Sequence, residues 1–118
     1  MENARRTDGS ALDTLDSLTE AATAGIEGLI DVREQLEDVR RRKKKGWSWQ
    51  EIMRTTEVPS PLTSLMAIVA RLGSASAAFR RDIVHSLRLE GLRLTEIASL
   101  LGTSRQRVSA LLRARRTE

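Results

Sequence analysis

The sequence predicts an all-α chain, and three observations carry that reading. Apolar residues recur in steps of three and four along most of its length, which is the spacing of one helix face. No stretch alternates apolar and polar residues with the β-branched and aromatic content of a strand, aromatic residues being only 3% of the chain. Glycine, proline and serine cluster between the periodic runs, where helices start and stop. The expected architecture is a long N-terminal helical arm followed by a helical core, divided into residues 1–9, 10–45, 46–73 and 74–118.

Residues 1–9 are polar and turn-rich, and a frayed or disordered tail is expected there. From Ser10 a heptad-like seam runs through Leu15, Leu18, Ala22, Gly25, Leu29, Val32, Leu36 and Val39 on an acidic helix. Gly25 lies in the seam and Gly28 follows, which predicts a kink or a close helix crossing. The stripe needs a cover. A homodimer formed through the arm is the expectation, with a fold-back onto the same chain as the competing solution. Six cations, Arg40, Arg41, Arg42, Lys43, Lys44 and Lys45, close the arm before Gly46. Glycine suits a helix C-terminus, and cations there complement the dipole.

Ser48 and Glu51 have the spacing of a capping box, and Trp47 is placed to staple onto Ile52. Trp47 and Trp49 are therefore read as staple and core residues rather than as ligand platforms. Pro59 and Pro61 stop that helix. Residues 62–72 resume helical spacing, and Gly73 to Ser76 reads as a small-residue break. Three more helices follow. Phe79, Ile83, Val84 and Leu87 stripe the first; Leu94, Ile97, Ala98 and Leu101 the second, capped by Thr95 and closed by Gly102; Val108, Leu111 and Leu112 the third, capped by Ser104.

Composition excludes several classes of function. The 118 residues suffice for one compact domain or a small domain with an arm. Without cysteine there is neither a disulfide framework nor a thiolate metal site. The one histidine, His85, lies beside a core stripe and is read as structural. No nucleophile with a base, glycine-rich phosphate loop or metal-ligand spacing is found, so neither an enzyme nor a cofactor is expected. No apolar run approaches the roughly 20 residues of a membrane span, and no leader pattern opens the chain, so a cytoplasmic protein without a membrane partner is expected.

The net charge of +4 conceals an asymmetry. Residues 1–38 carry ten acids against three bases, and residues 39–118 carry six against seventeen. The basic part suits a polyanion, since each neutralised phosphate releases condensed counterions.

One segment is more specific. In residues 94–112 two short helical stretches flank a tight turn. Ala98 is small enough for a close helix crossing, and Gly102 supplies a left-handed turn residue four positions on. Ile97, Leu101, Val108 and Leu111 fall where such a pair buries apolar surface. This is the layout of a helix-turn-helix. Residues 90–109 resemble bacterial helix-turn-helix regulators, being similar to the promoter-binding final region of sigma factors, especially at Ser104-Arg-Gln-Arg-Val, and to the C-terminal domains of response regulators. The resemblance covers about the last forty residues, and no counterpart of the upstream sigma regions is evident. It implies a second helix lying in the major groove of double-stranded DNA.

With Val108, Leu111 and Leu112 facing inward, Gln106, Ser109, Ala110 and Arg113 face outward, flanked by Arg105 and Arg107. Gln suits adenine, Arg suits guanine, and Ala offers a methyl contact to thymine. Ser104 and Thr95 are placed for phosphates, and the Arg40 to Lys45 run is either a further phosphate grip or a solvated helix end. The expected function is that of a small transcriptional regulator or nucleoid-associated DNA-organising protein. The rival is an adaptor whose acidic arm docks a protein partner and whose helix-turn-helix is only scaffold.

A fainter echo precedes this segment. Gly46-Trp-Ser-Trp-Gln-Glu-Ile repeats the glycine-to-Glu-Ile spacing of Gly91-Leu-Arg-Leu-Thr-Glu-Ile. It then diverges, with Met53 at the crossing position and Glu57 where the turn glycine belongs. Either a degenerate copy kept for packing or chance similarity accounts for it.

Overall fold

The computed structural model describes residues 2–57 and 60–116, and every regular element among them is helical. In chain order these are α1 (Glu2–Lys44), α2 (Trp49–Thr55), α3 (Pro61–Leu89), α4 (Leu94–Leu101) and α5 (Arg105–Arg116). The chain divides into two compact units. One is Glu20–Gly73, and the other, the terminal unit, joins Met1–Thr19 to Ser74–Glu118. The arm is thus not a separate body, because α1 contributes residues to both units.

Two boundaries differ from expectation. Helix α1 begins at Glu2 and not near Ser10. Once a helix is nucleated each further residue adds a hydrogen bond, and Glu2, Ala4, Arg5 and Arg6 are good helix formers, so Gly9 alone does not stop it. Helix α3 likewise runs unbroken through Gly73 to Ser76. Small residues lower helix propensity by at most about 1 kcal/mol each, and no proline follows to break the ladder. The resulting helix is long and apolar enough to cross a membrane by length and composition, which corrects the expectation that no such run exists. Pro59 lies outside the described residues.

In the 20–73 unit, α1 and α3 run antiparallel at close range. Gly25 lies against Ile68 and Leu72, and Gly28 lies against Ile68 alone. A Cβ built on Gly28 would sit 2.9 Å from Ile68 Cδ1, so the glycine is what permits this approach. The two glycines therefore mark a close crossing. Ala21, Gly25 and Val32 are buried while Ala22, Leu29 and Leu36 are exposed. Only part of the predicted seam therefore faces inward. Ile52 of α2 is fully buried.

In the terminal unit, Val84 of α3, Ile97 and Ala98 of α4 and Val108 of α5 form the buried core. Leu87, Leu92, Leu94, Leu101, Leu111 and Leu112 pack around it. From α1, Ala11 is buried and Thr14 Oγ1 donates to Asp82 Oδ2 at 3.0 Å.

Candidate nucleic-acid interface

Helices α4 and α5 are held by their turn. Gly102 adopts φ +65°, and its N–H reaches Ser99 O at 3.3 Å while that of Thr103 reaches Ala98 O at 2.9 Å. These paired bonds satisfy carbonyls that the end of α4 would otherwise leave open, and they need a residue at ease in left-handed backbone. Ser104 Oγ then accepts the Arg107 N–H at 3.1 Å and starts α5. Ala98 is buried at the crossing, as its small side chain allows. The start of α4 differs from expectation. Arg93 is the N-cap, its N–H donating to Glu96 Oε1 at 3.0 Å, and Thr95 lies inside the first turn. The glutamate side chain can satisfy this backbone donor without a hydroxyl at the cap.

Helix α5 carries five arginines and no acid over its twelve residues. Val108 is wholly buried and Leu111 and Leu112 partly so, which turns Arg105, Gln106, Arg107, Ala110 and Arg113 to solvent. Ser109 is half-buried, and its Oγ accepts a hydrogen bond from Arg113 Nη1 at 3.0 Å. That bond aligns the Arg113 side chain along the helix. Thr95 and Ser104 are exposed in the same α4–α5 pair. Ser104 spends an oxygen lone pair on its cap and keeps its proton for donation. Arg93, which the sequence pattern does not single out, has a side chain 86% exposed beside Thr95, with its Nε 3.9 Å from Glu96 Oε1. Its position immediately before a helix start was the available signal.

The Arg40 to Lys45 run belongs to the 20–73 unit, and there the cations divide into two groups. Arg42 is committed to Asp38 Oδ2 at 2.9 Å and to Thr55 Oγ1 at 3.0 Å, and it lies 5.4 Å from the Trp47 ring centre. Arg41 pairs with Asp38 at 3.5 Å. Lys43 lies 4.9 Å from the Trp49 ring centre and donates to Trp47 O at 3.3 Å. Among the described residues Arg40, Lys44 and Lys45 enter no ion pair, leaving these three for an external anion. Trp47 and Trp49 are not core residues, being 37% and 57% exposed. Cation–π contact with the run holds them at the surface.

The echo between the two segments extends to local structure. Gly46 and Gly91 have φ +98° and +96°. Each carries the same pair of closing bonds, Gly46 N to Lys43 O with Trp47 N to Arg42 O, and Gly91 N to Arg88 O with Leu92 N to Leu87 O. Each is followed by a glutamate, Glu51 or Glu96, that accepts the N-cap N–H, and by a fully buried isoleucine, Ile52 or Ile97. At the first of these sites Ser48 Oγ also accepts the Glu51 N–H, completing the box. The Ser48 N–H on the Glu51 carboxylate, and then the Ser48 hydroxyl, hold that carboxyl below the usual carboxylate range. No family model matches the chain, and no curated protein or solved structure compared with it matches either.

Proposed function

We propose that the terminal unit binds double-stranded DNA as a helix-turn-helix, with α5 lying in the major groove. The observation that supports this most is the division of α5 into a buried Val108 side and an acid-free outer side bearing Arg105, Gln106, Arg107, Ala110 and Arg113. A helix of twelve residues is about 18 Å long, enough to lay several side chains along one groove. Gln106 and Arg113 are the base readers, and Ala110 lies between them as a thymine-methyl contact. Ser104, Thr95 and Arg93 hold backbone phosphates and set the register of α5. Arg40, Lys44 and Lys45 add affinity without sequence preference. The protein on this reading is a small transcriptional regulator or a DNA-organising protein of the nucleoid.

The deciding experiment is a fluorescence-anisotropy titration of the full chain with duplexes selected from random sequence, repeated at several salt concentrations. Binding should weaken steeply with salt, with a log–log slope near −0.9 per neutralised phosphate. Gln106→Ala and Arg113→Ala should each cost about 1–3 kcal/mol on the selected site and relax preference there. A salt-independent response, or selected sites unchanged by both substitutions, would refute the proposal.

A further inference from the structure

We infer that the 20–73 unit carries a self-association face, formed by one exposed apolar row on α1 and one on α3, and that a second copy of this chain covers it. The inference is independent of DNA binding. Residues 21, 25, 28 and 32 of α1 face α3, with Gly25 and Gly28 against Ile68 and Leu72. One residue further round, at about 100°, Ile26, Leu29, Arg33 and Leu36 form a second row on α1, apolar but for Arg33, which pairs with Glu37 at 4.0 Å. On α3 the residues one position beyond the contact row are Leu62, Met66 and Val69.

The two rows share a side. In antiparallel helices the sense of rotation is opposite when viewed from one end, and so are the directions in which the helices contact each other. One step onward on each therefore leads to the same face of the pair. The other face confirms the geometry, since residues one step back on each helix, Ala24 on α1 and Ala67 and Arg71 on α3, line a single shallow depression.

The face is large and mostly apolar, with Arg33 as the one charge in its two rows. Exposure of its six apolar side chains runs from 42% at Leu29 and Leu36 to 66% at Met66. Together they leave on the order of 650 Å² of mostly apolar surface, against about 800 Å² per partner in a standard interface and a few hundred in the usual patch on a monomer. No charged residue occurs between Glu57 and Arg71, as expected of an interface core. Two such two-helix layers pack face to face as a four-helix bundle, and a two-fold axis makes the same patch serve both partners. A bilayer is a poor occupant. Residues 20–38 of α1 hold six acids and one arginine, whereas helices that lie on membranes have Lys- and Arg-rich polar sides.

The internal echo reaches this face. Ser60 Oγ caps α3 by accepting the Thr63 N–H, as Ser104 caps α5 by accepting that of Arg107. Counted from those serines, Leu62, Met66 and Val69 occupy the places of Gln106, Ala110 and Arg113. The same outward row is wholly apolar in one unit and carries a glutamine and an arginine in the other. A row of Leu, Met and Val has no hydrogen bonds to offer a base edge or a phosphate, and what it can bury against is another apolar surface.

Sedimentation equilibrium of the full chain, without nucleic acid, tests the inference together with cross-linking of single-cysteine variants, which the cysteine-free chain permits. The full chain should be a dimer at tens of micromolar. Met66→Glu should weaken the dimer about tenfold or more while far-UV helicity is kept. Met66→Cys should give a cross-linked dimer with a short bis-maleimide, and Ala67→Cys, on the opposite face, should not. The cysteine pair decides the matter even where Met66→Glu unfolds the chain. A monomer at every concentration would overturn the inference, as would a dimer that cross-links equally through both cysteines. So would wild-type binding to mixed phosphatidylcholine and phosphatidylglycerol vesicles that Met66→Glu abolishes, since the face would then belong to a bilayer.

Discussion

Replacing the two glycines of the α1–α3 crossing one at a time should separate helix propensity from packing. Alanine in a helix interior is favoured over glycine by about 0.8–1.0 kcal/mol. At Gly25 the new Cβ would meet Ile68 Cγ2 at 3.5 Å and Leu72 Cδ1 at 3.6 Å, which is ordinary contact. The methyl group is thus buried without overlap, adding a few tenths of a kcal/mol from its share of about 0.8 per methylene. Gly25→Ala should stabilise the chain by roughly 1–1.5 kcal/mol and raise the melting temperature by about 4–6 °C. At Gly28 the same propensity gain meets a 2.9 Å approach to Ile68 Cδ1. Ile68 must leave its rotamer, at a cost of about 0.5–1.5 kcal/mol, which cancels the gain. Gly28→Ala should therefore leave stability nearly unchanged. Far-UV circular dichroism melts at one fixed protein concentration measure both. A lower melting temperature for Gly25→Ala, or a larger gain for Gly28→Ala, would refute the packing described for this crossing.

Three other outcomes follow from the geometry. Gly102→Ala places a Cβ in left-handed backbone with nothing within 4 Å of it, so it should lose about 1–2 kcal/mol from backbone strain alone. Gly102→Asn should recover part of that, both read from urea midpoints. Because folding lowers the Glu51 pKa below 4.5, the cap's contribution is complete above that value and is lost as the pH falls through the lowered one. The difference in urea midpoint between the wild type and Glu51→Gln should accordingly change between pH 7 and pH 3, and a constant difference would refute the assignment. Lys44→Ala should weaken all duplexes alike and reduce the salt slope by about 1, as seen in anisotropy titrations, whereas Arg42→Ala should chiefly lower the melting temperature.

Much of the fold was legible because its determinants are local. Helix starts and stops depend on backbone groups within five residues, so Gly46, Ser48, Glu51, Gly102 and Ser104 could be assigned from spacing alone. The outward side of α5 was legible for a related reason. Val108, Leu111 and Leu112 leave one buried direction on a short helix, and the remaining positions follow from rotation. Ser109 was the exception, being half-buried with its Oγ bonded to Arg113. The surface placement of Trp47 and Trp49 was not legible, since it depends on cations folding back from the preceding helix.

The sequence by itself determined that α1 would be a helix with apolar stripes, and that a basic segment would follow an acidic one. Tertiary structure alone decided which stripe turned inward. On composition the row of Ala22, Leu29 and Leu36 was the better candidate for burial than Ala21, Gly28 and Gln35. The smaller row was turned inward because Gly28 lets the two backbones approach until Ile68 fills the space between them. Helical periodicity is a property of one chain segment and repeats in any environment. The azimuth at which a helix docks depends on how closely its partner can approach, and that distance is set by a residue forty positions away.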